Sequence, residues 1–220
     1  MIADTPQARR EFIAANTRLQ APPHVPELLL HLADEITPIW KLTEEALAEI
    51  GLPPPFWAFA WAGGQALARY VIDNPEVVAG KRVIDFASGS GMVAIAAMKA
   101  GAADVLAADI DVFCAAAVAL NAEVNGVVCA FTGEDLLDAP APAWAEVILA
   151  GDICYEKPLA ERVLAWLGAA RARGATVLIG DPGRSYFPRT GLTRLAEYQV
   201  PTTRELEDMA VKKTAVWMLP

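Results

Sequence analysis

The chain is poor in the residues that build metal sites and covalent staples: 220 residues contain three cysteines and two histidines. Cys114, Cys129 and Cys154 are odd in number and lie 15 and 25 residues apart, a spacing that fits neither a disulfide framework nor a zinc knuckle. They are expected reduced, in the core or near a site. His24 and His31 have no clustered carboxylate or thiol partner, so no metal is expected. No apolar run reaches the ~18 residues of a membrane span, and the N-terminal residues have no apolar signal-peptide core. A cytoplasmic protein without a membrane partner is the expectation. Basic charge is scarce as well: 18 Lys and Arg against 27 Asp and Glu leave a net −9, which argues against a nucleic-acid partner held through its phosphates.

What is present is apolar and acidic. A hydrophobic content of 55% lets one domain bury a full core, with room for an N-terminal appendage. Residues 1–161 carry a net −13 and residues 162–220 a net +4. An acidic field of this kind either steers a basic protein segment toward a cleft or only keeps the surface soluble.

Residues 83–111, VIDFASGSGMVAIAAMKAGAADVLAADID, read as an apolar strand, a Gly-rich turn, an Ala-rich helix and a second strand ending in acid. That order describes a nucleotide-shaped pocket in a doubly wound sheet, with ligand at the carboxyl ends of the strands. The turn Asp85-Phe-Ala-Ser-Gly-Ser-Gly91 lets backbone approach a ligand closely, and the following helix points its free amides at the same place. Asp109 stands where a carboxylate can take both ribose hydroxyls.

Two cofactors fit the glycines. Gly89-Ser-Gly91-Met-Val-Ala94, with Asp109 following Gly89 by 20 residues, satisfies a dinucleotide fingerprint. Three features favour S-adenosylmethionine. Asp85 ends the strand before the turn, where a carboxylate suits a cationic aminoacyl group and repels a pyrophosphate. The turn begins about 80 residues into the chain, and a later strand, Glu146 to Tyr155, ends in Asp-x-x-Tyr. A tight strand-to-helix turn without ligand is the third reading of the glycines.

Along the chain the pattern predicts a helix over 6–20 ended by Ala21-Pro-Pro, a hairpin over 25–40 turning near Asp34-Glu35, and a helix over 43–50 closed by Gly51. Together with Pro53-Pro-Pro55 these make residues 1–54 an N-terminal appendage to a domain spanning 55–220. After a Gly63-Gly64 turn, a helix is expected over 65–73. Strands at 83–86, 103–108, 127–132, 146–150 and 176–180 alternate with helices, which means a parallel sheet. Residues 196–200 and 211–219 have no helix between them, so an antiparallel closing pair is expected: an α/β, mostly parallel, Rossmann-like sheet.

Read together, Pro55-Phe-Trp-Ala-Phe-Ala-Trp-Ala-Gly-Gly-Gln-Ala-Leu-Ala-Arg-Tyr70, the Asp85 to Gly91 turn, Ala108-Asp-Ile-Asp111, Leu149-Ala-Gly-Asp-Ile-Cys-Tyr-Glu156, Leu178-Ile-Gly-Asp-Pro-Gly-Arg184 and Thr214-Ala-Val-Trp217 resemble the electron transfer flavoprotein β-subunit lysine methyltransferases. The resemblance spans roughly residues 52–219. It implies a class I, seven-strand methyltransferase, monomeric, that moves methyl groups from S-adenosylmethionine to lysines of the flavoprotein β subunit and leaves S-adenosylhomocysteine. Three positions depart from the family's pattern. Ala62 replaces Pro, Ala87 replaces Gly beside the cofactor, and Cys154 stands where related enzymes often have Phe, on the acceptor side.

By position and by this resemblance, Asp85, Ser88, Gly89 and Gly91 hold the aminoacyl end, Asp109 the ribose and Ile110 an adenine face. Asp135 takes the adenine amino group, unless Thr132-Gly-Glu-Asp135 is only a polar loop. Trp61, Gly63 and Gly64 form a wall and backbone donors near the methionine part, although Trp57 and Trp61, four apart, can both be core. Arg184 either braces its loop through an ion pair or touches ligand. Asp152 and Tyr155 are the catalytic candidates. An Asn-Pro-Pro-Tyr strand end suits planar amides and adenine amines, whereas the Asp152 carboxylate suits a tetrahedral amine. Asp152 as a simple helix cap is the alternative.

A lysine amine, with reference pKa near 10.4, must lose its proton before it attacks. A sulfonium about 4 Å away disfavours the ammonium by ~4 kcal/mol at an effective ε near 20, and Asp152 acts in the opposite direction. Positioning is therefore expected to dominate, with no dedicated general base. The competing functions are methylation of another protein of ribosomal type or of a small amine, a non-catalytic S-adenosylmethionine-binding protein, and an NAD-dependent dehydrogenase.

Overall fold

The computed structural model describes residues 5–34, 39, 54–202 and 209–220. The Thr5 hydroxyl accepts from the Ala8 amide and proline occupies the first helical position, so helix α1 runs Pro6–Asn16. It ends short of the expected residue 20. Thr17 turns extended, its hydroxyl donates back to the Ile13 carbonyl, and Arg18–Gln20 becomes strand β1, antiparallel to β2 at Leu30–Leu32. The hairpin expected over 25–40 therefore finds its partner upstream. Its forward arm, Ile39 excepted, and the helix expected over 43–50 lie outside the described residues.

Helix α2 spans Ala62–Asp73 and includes the two glycines expected to form a turn before it. Their lack of side chains is used for packing. A Cβ on Gly180 would strike the Gly63 carbonyl oxygen, and one on Gly151 would come within 2.9 Å of the Gly64 Cα, so the helix start rests backbone to backbone on the sheet. Ala62 takes the first helical position, where proline also fits.

Seven strands follow: β3 (Arg82–Phe86), β4 (Asp104–Ala108), β5 (Ala130–Thr132), β6 (Val147–Gly151), β7 (Thr176–Asp181), β8 (Thr193–Pro201) and β9 (Val211–Met218). Their spatial order is β5-β4-β3-β6-β7-β9-β8. The first five are mutually parallel, while β9 runs antiparallel to both its neighbours, as the closing pair in the sequence requires. Helices α3 (Met92–Lys99), α4 (Cys114–Val124) and α5 (Lys157–Ala172) make the crossovers.

Alternation along the strands divides the core. Val83, Val105, Val147 and Leu149 join the side of α2 and α3, and Ile84, Phe86, Ile148 and Val177 join the side of α5. Val25, Leu28, Leu30 and Leu32 are buried in the first of these clusters, and Ile13 joins a third with Trp57 and Phe113, whose rings stack at 5.8 Å. Fully buried Asn121 links the N-terminal segment to the glycine turn: its Oδ1 accepts from the His31 amide and its Nδ2 donates to the Ser90 carbonyl. Strand β3 bonds to β4 on one side and β6 on the other, so connection order reverses there and a crevice opens at the carboxyl ends.

Candidate active site

The crevice is a cavity of about 750 Å³, in the size range of small-molecule sites. Trp61, Gly64, Asp85, Ser88, Gly89, Asp109, Ile110, Asp135, Asp152 and Tyr155 all line it. Gly63 and Gly91 do not. Gly91 caps α3 at φ +78°, and a Cβ there would meet the Val118 side chain at 3.0 Å.

The turn after β3 is left-handed at Ala87 (φ +54°) and Gly89 (φ +51°) as well as at Gly91. For alanine that conformation is unfavourable by ~1–2 kcal/mol, so the departure from glycine strains the backbone beside the cofactor position. The Ser88 hydroxyl is buried with no hydrogen-bond partner, an orphan that a ligand at this cavity wall would satisfy. Asp85 is 2% exposed and accepts from the Ala94 amide in the first turn of α3 at 2.9 Å. Burial pushes its carboxyl up to about 8, and the nearby Asp109 adds to the rise. A cation bound here would reverse that shift.

Asp109 joins two loops: one oxygen accepts from the Gly89 amide at 2.9 Å, the other from the Asp111 amide at 3.0 Å. Asp111 in turn accepts from the Phe113 amide at the start of α4. Ile110 is 71% exposed and offers an apolar face at the cavity. Asp135 accepts from the Leu137 amide and pairs with Arg162 at 3.4 Å. The polar-loop reading of Asp135 is thus physically present alongside its place on the cavity wall. The donor and acceptor set fits S-adenosylmethionine. Among the described lining residues, six carboxylates, those of Asp85, Asp109, Asp111, Glu134, Asp135 and Asp152, accompany two guanidiniums, Arg162 and Arg184, a balance suited to a cationic ligand.

On the acceptor side Asp152 sits at φ +55°, 9% exposed. Its Oδ2 accepts from the Gly64 amide at 2.8 Å and its Oδ1 from Arg184 Nη2 at 2.7 Å. The carboxylate thus caps helix α2 from another segment and forms an ion pair, while keeping its place at the cavity. Gly64 gives its amide to Asp152 while lining the cavity, and Gly63 packs on Gly180. Trp57 is core, but Trp61 is not: it donates from Nε1 to the Phe56 carbonyl and makes edge contacts with Phe56 and Phe59. Phe56 also meets Tyr155 at 5.8 Å, giving the mouth an aromatic wall. Burial raises the Tyr155 hydroxyl, so it is neutral at ordinary pH. Cys154, expected on the acceptor side, is instead fully buried among Ile84, Ile148 and Trp166, because residue 154 faces the α5 layer.

Sequence reading alone missed Phe56, Phe59 and Arg162 as cavity residues. For Phe56 and Phe59 the signal lay in the aromatic density of Pro55 to Trp61; for Arg162, on an amphipathic helix, there was none.

Residues 65–156 match the ribosomal protein L11 methyltransferase (PrmA) family. An electron transfer flavoprotein beta subunit lysine methyltransferase of Danio rerio is 38% identical over 215 residues, covering 94% of this chain and 82% of its own. The chain belongs to the electron transfer flavoprotein beta subunit lysine methyltransferase family. It is accordingly an S-adenosylmethionine-dependent protein-lysine methyltransferase. The fold agrees. Ribosomal protein L11 methylase of Lactobacillus delbrueckii subsp. bulgaricus superposes with a TM-score of 0.51 at 21% identity, over 72% of this chain and 79% of its own. Magnesium protoporphyrin IX methyltransferase of Synechocystis PCC 6803, solved with bound S-adenosylmethionine, gives 0.51 at 11% identity, over 71% and 78%. Among the described residues of this lysine methyltransferase, no helix is long and apolar enough to cross a membrane.

Proposed function

We propose that this methyltransferase acts on lysine side chains of the electron transfer flavoprotein beta subunit, as a cytoplasmic monomer. The observation that carries the reading is the aromatic wall of Phe56, Trp61 and Tyr155, which lines the same cavity as the Asp152 carboxylate. Such a wall suits a long apolar stem and meets its amine with a carboxylate and ring faces. The substrate is named by the relatives that match over nearly the whole chain. Three free cysteines support a reducing compartment.

When bound, S-adenosylmethionine supplies an electrophilic methyl group. In this reading the Asp85 carboxylate and the Ser88 hydroxyl hold the aminoacyl end, Asp109 the ribose, and Ile110 with Asp135 the adenine. Trp61 walls the reacting region. Tyr155 and Asp152 orient the incoming amine, whose proton leaves to water before its lone pair forms the new bond. In this reading catalysis rests on placement of the amine beside these fixed charges.

The test is methyl transfer from labelled S-adenosylmethionine to two purified proteins under identical conditions. The electron transfer flavoprotein beta subunit should take label much faster than ribosomal protein L11. The reverse order would move the chain's substrate to the ribosomal-protein class.

A further inference from the structure

We propose that Arg184 is a positioning residue that neutralises Asp152 and thereby lets the incoming lysine amine shed its proton. The inference rests on the reading above, that the amine arrives beside Asp152.

Arg184 is held from three directions. Its Nε and Nη2 both donate to Asp152 Oδ1, at 3.2 and 2.7 Å. Its guanidinium carbon lies 5.7 Å from the centre of the Trp61 ring, and its backbone amide donates to Asp181 Oδ1 at 2.8 Å. The Gly183 amide reaches the same oxygen at 2.7 Å, and φ +83° at Gly183 allows the chain to double back. The Arg184 and Asp152 side chains are 19% and 11% exposed, so water screens the pair weakly. A cation anchored in this way to its own protein is a fixed charge.

Its effect follows from what Asp152 would do alone. A weakly solvated carboxylate at the end of the acceptor channel would hold the lysine as an ammonium, and an ammonium has no lone pair to attack with. Arg184 cancels that charge, and the Gly64 amide, at the positive end of α2, takes the other oxygen. The amine then meets a carboxylate compensated by a guanidinium, beside aromatic faces. It loses its proton to water, its lone pair forms the nitrogen–carbon bond, and the sulfur–carbon bond breaks with both electrons going to sulfur.

Among the described residues, the other charged or titratable groups around the pair do not replace Arg184. Asp181 on β7 is buried and its carboxyl is pushed up to about 7; the Cys154 thiol is pushed up to about 12, and Tyr155 is raised. Glu156 is exposed, and Asp109 stands after β4 with its oxygens on the Gly89 and Asp111 amides. From α2 comes only its amide end.

The experiment is the pH dependence of turnover at saturating S-adenosylmethionine, with the flavoprotein beta subunit as substrate, for wild type, Arg184→Met, Arg184→Lys, Asp152→Asn and the Arg184→Met/Asp152→Asn double variant. Arg184→Met should move the acidic limb up by about one pH unit, with a roughly tenfold loss at neutral pH that recovers in alkali. Arg184→Lys should keep the wild-type limb. In the double variant the limb should return, because the charge left uncompensated is gone. Calorimetric affinity for S-adenosylmethionine should stay within about threefold throughout. An unmoved limb in Arg184→Met, or a shift that persists in the double variant, overturns the proposal. If Arg184→Met does not fold, Arg184→Gln, which keeps a donor toward Asp152 and removes the charge, should give the same upward shift, and its absence counts against the proposal equally. Failure of the underlying reading would look different: wild type would place no methyl on lysine at any pH.

Discussion

The Asp109 carboxylate holds the Gly89 amide at 2.9 Å across 20 residues of sequence, so this cavity acid and the glycine turn form one unit. With the proposed ribose role, cofactor recognition and local backbone order would rest on the same side chain.

Asp109→Ala should accordingly weaken S-adenosylmethionine binding by tenfold or more, since a hydrogen bond to a charged group contributes about 1.5–3 kcal/mol and the turn loses its tether as well. Titration calorimetry measures this directly. Unchanged affinity would remove Asp109 from the ribose site.

Asp85 gives a pH dependence of definite sign. The folded protein keeps its proton up to about pH 8, whereas an unfolded chain loses it near 3.8, so the folded state binds more protons through that window. Stability without cofactor should therefore fall as pH rises toward 8, and Asp181, pushed up to about 7, acts in the same direction. A bound cation favours ionised Asp85, so affinity for S-adenosylmethionine should rise over the same interval. Melting temperatures at pH 6 and 8, with and without cofactor, should show a larger cofactor-induced increase at pH 8, and Asp85→Asn should flatten the difference. An equal increase at both pH values would separate Asp85 from the cofactor's cationic end.

Ala87 is left-handed at φ +54°, where glycine has no steric penalty. Ala87→Gly relieves ~1–2 kcal/mol of strain and gives back ~0.4–1 kcal/mol in chain entropy, so a net gain of ~0.5–1 kcal/mol is expected. Thermal melting should rise by roughly 1–4 °C. A lower melting temperature would mean that the alanine methyl makes a compensating contact.

The sheet was readable because strands such as Val83 to Phe86 and Glu146 to Ala150 are short apolar runs separated by helices, and because the acids at their ends mark the crevice. What could not be read were features made by distant segments. Nothing local to Gly63 and Gly64 says that Gly151 and Gly180 press on them, so a turn was the natural reading of what is a helix start. Strand β1 likewise depends on a partner, Leu30–Leu32, chosen by the fold and not by Arg18-Leu-Gln20 itself. At the site, residue type at position 152 suggested an amine partner, but the Gly64 amide and Arg184 on its two oxygens appear only when three segments meet. Cys154 shows the same limit: its neighbours in sequence line the cavity, and it faces away from them.

If this cavity delivers a methyl group to a lysine amine, that methyl can be located directly. The flavoprotein beta subunit, incubated with the enzyme and S-adenosylmethionine, would be digested and its modified residues assigned by mass spectrometry. Methyl groups on lysine ε-amines, abolished by excess S-adenosylhomocysteine and strongly reduced with Asp109→Ala, are the predicted result. Methyl groups on arginine, glutamine or carboxylates, or none at all while calorimetry shows the cofactor bound, would contradict it.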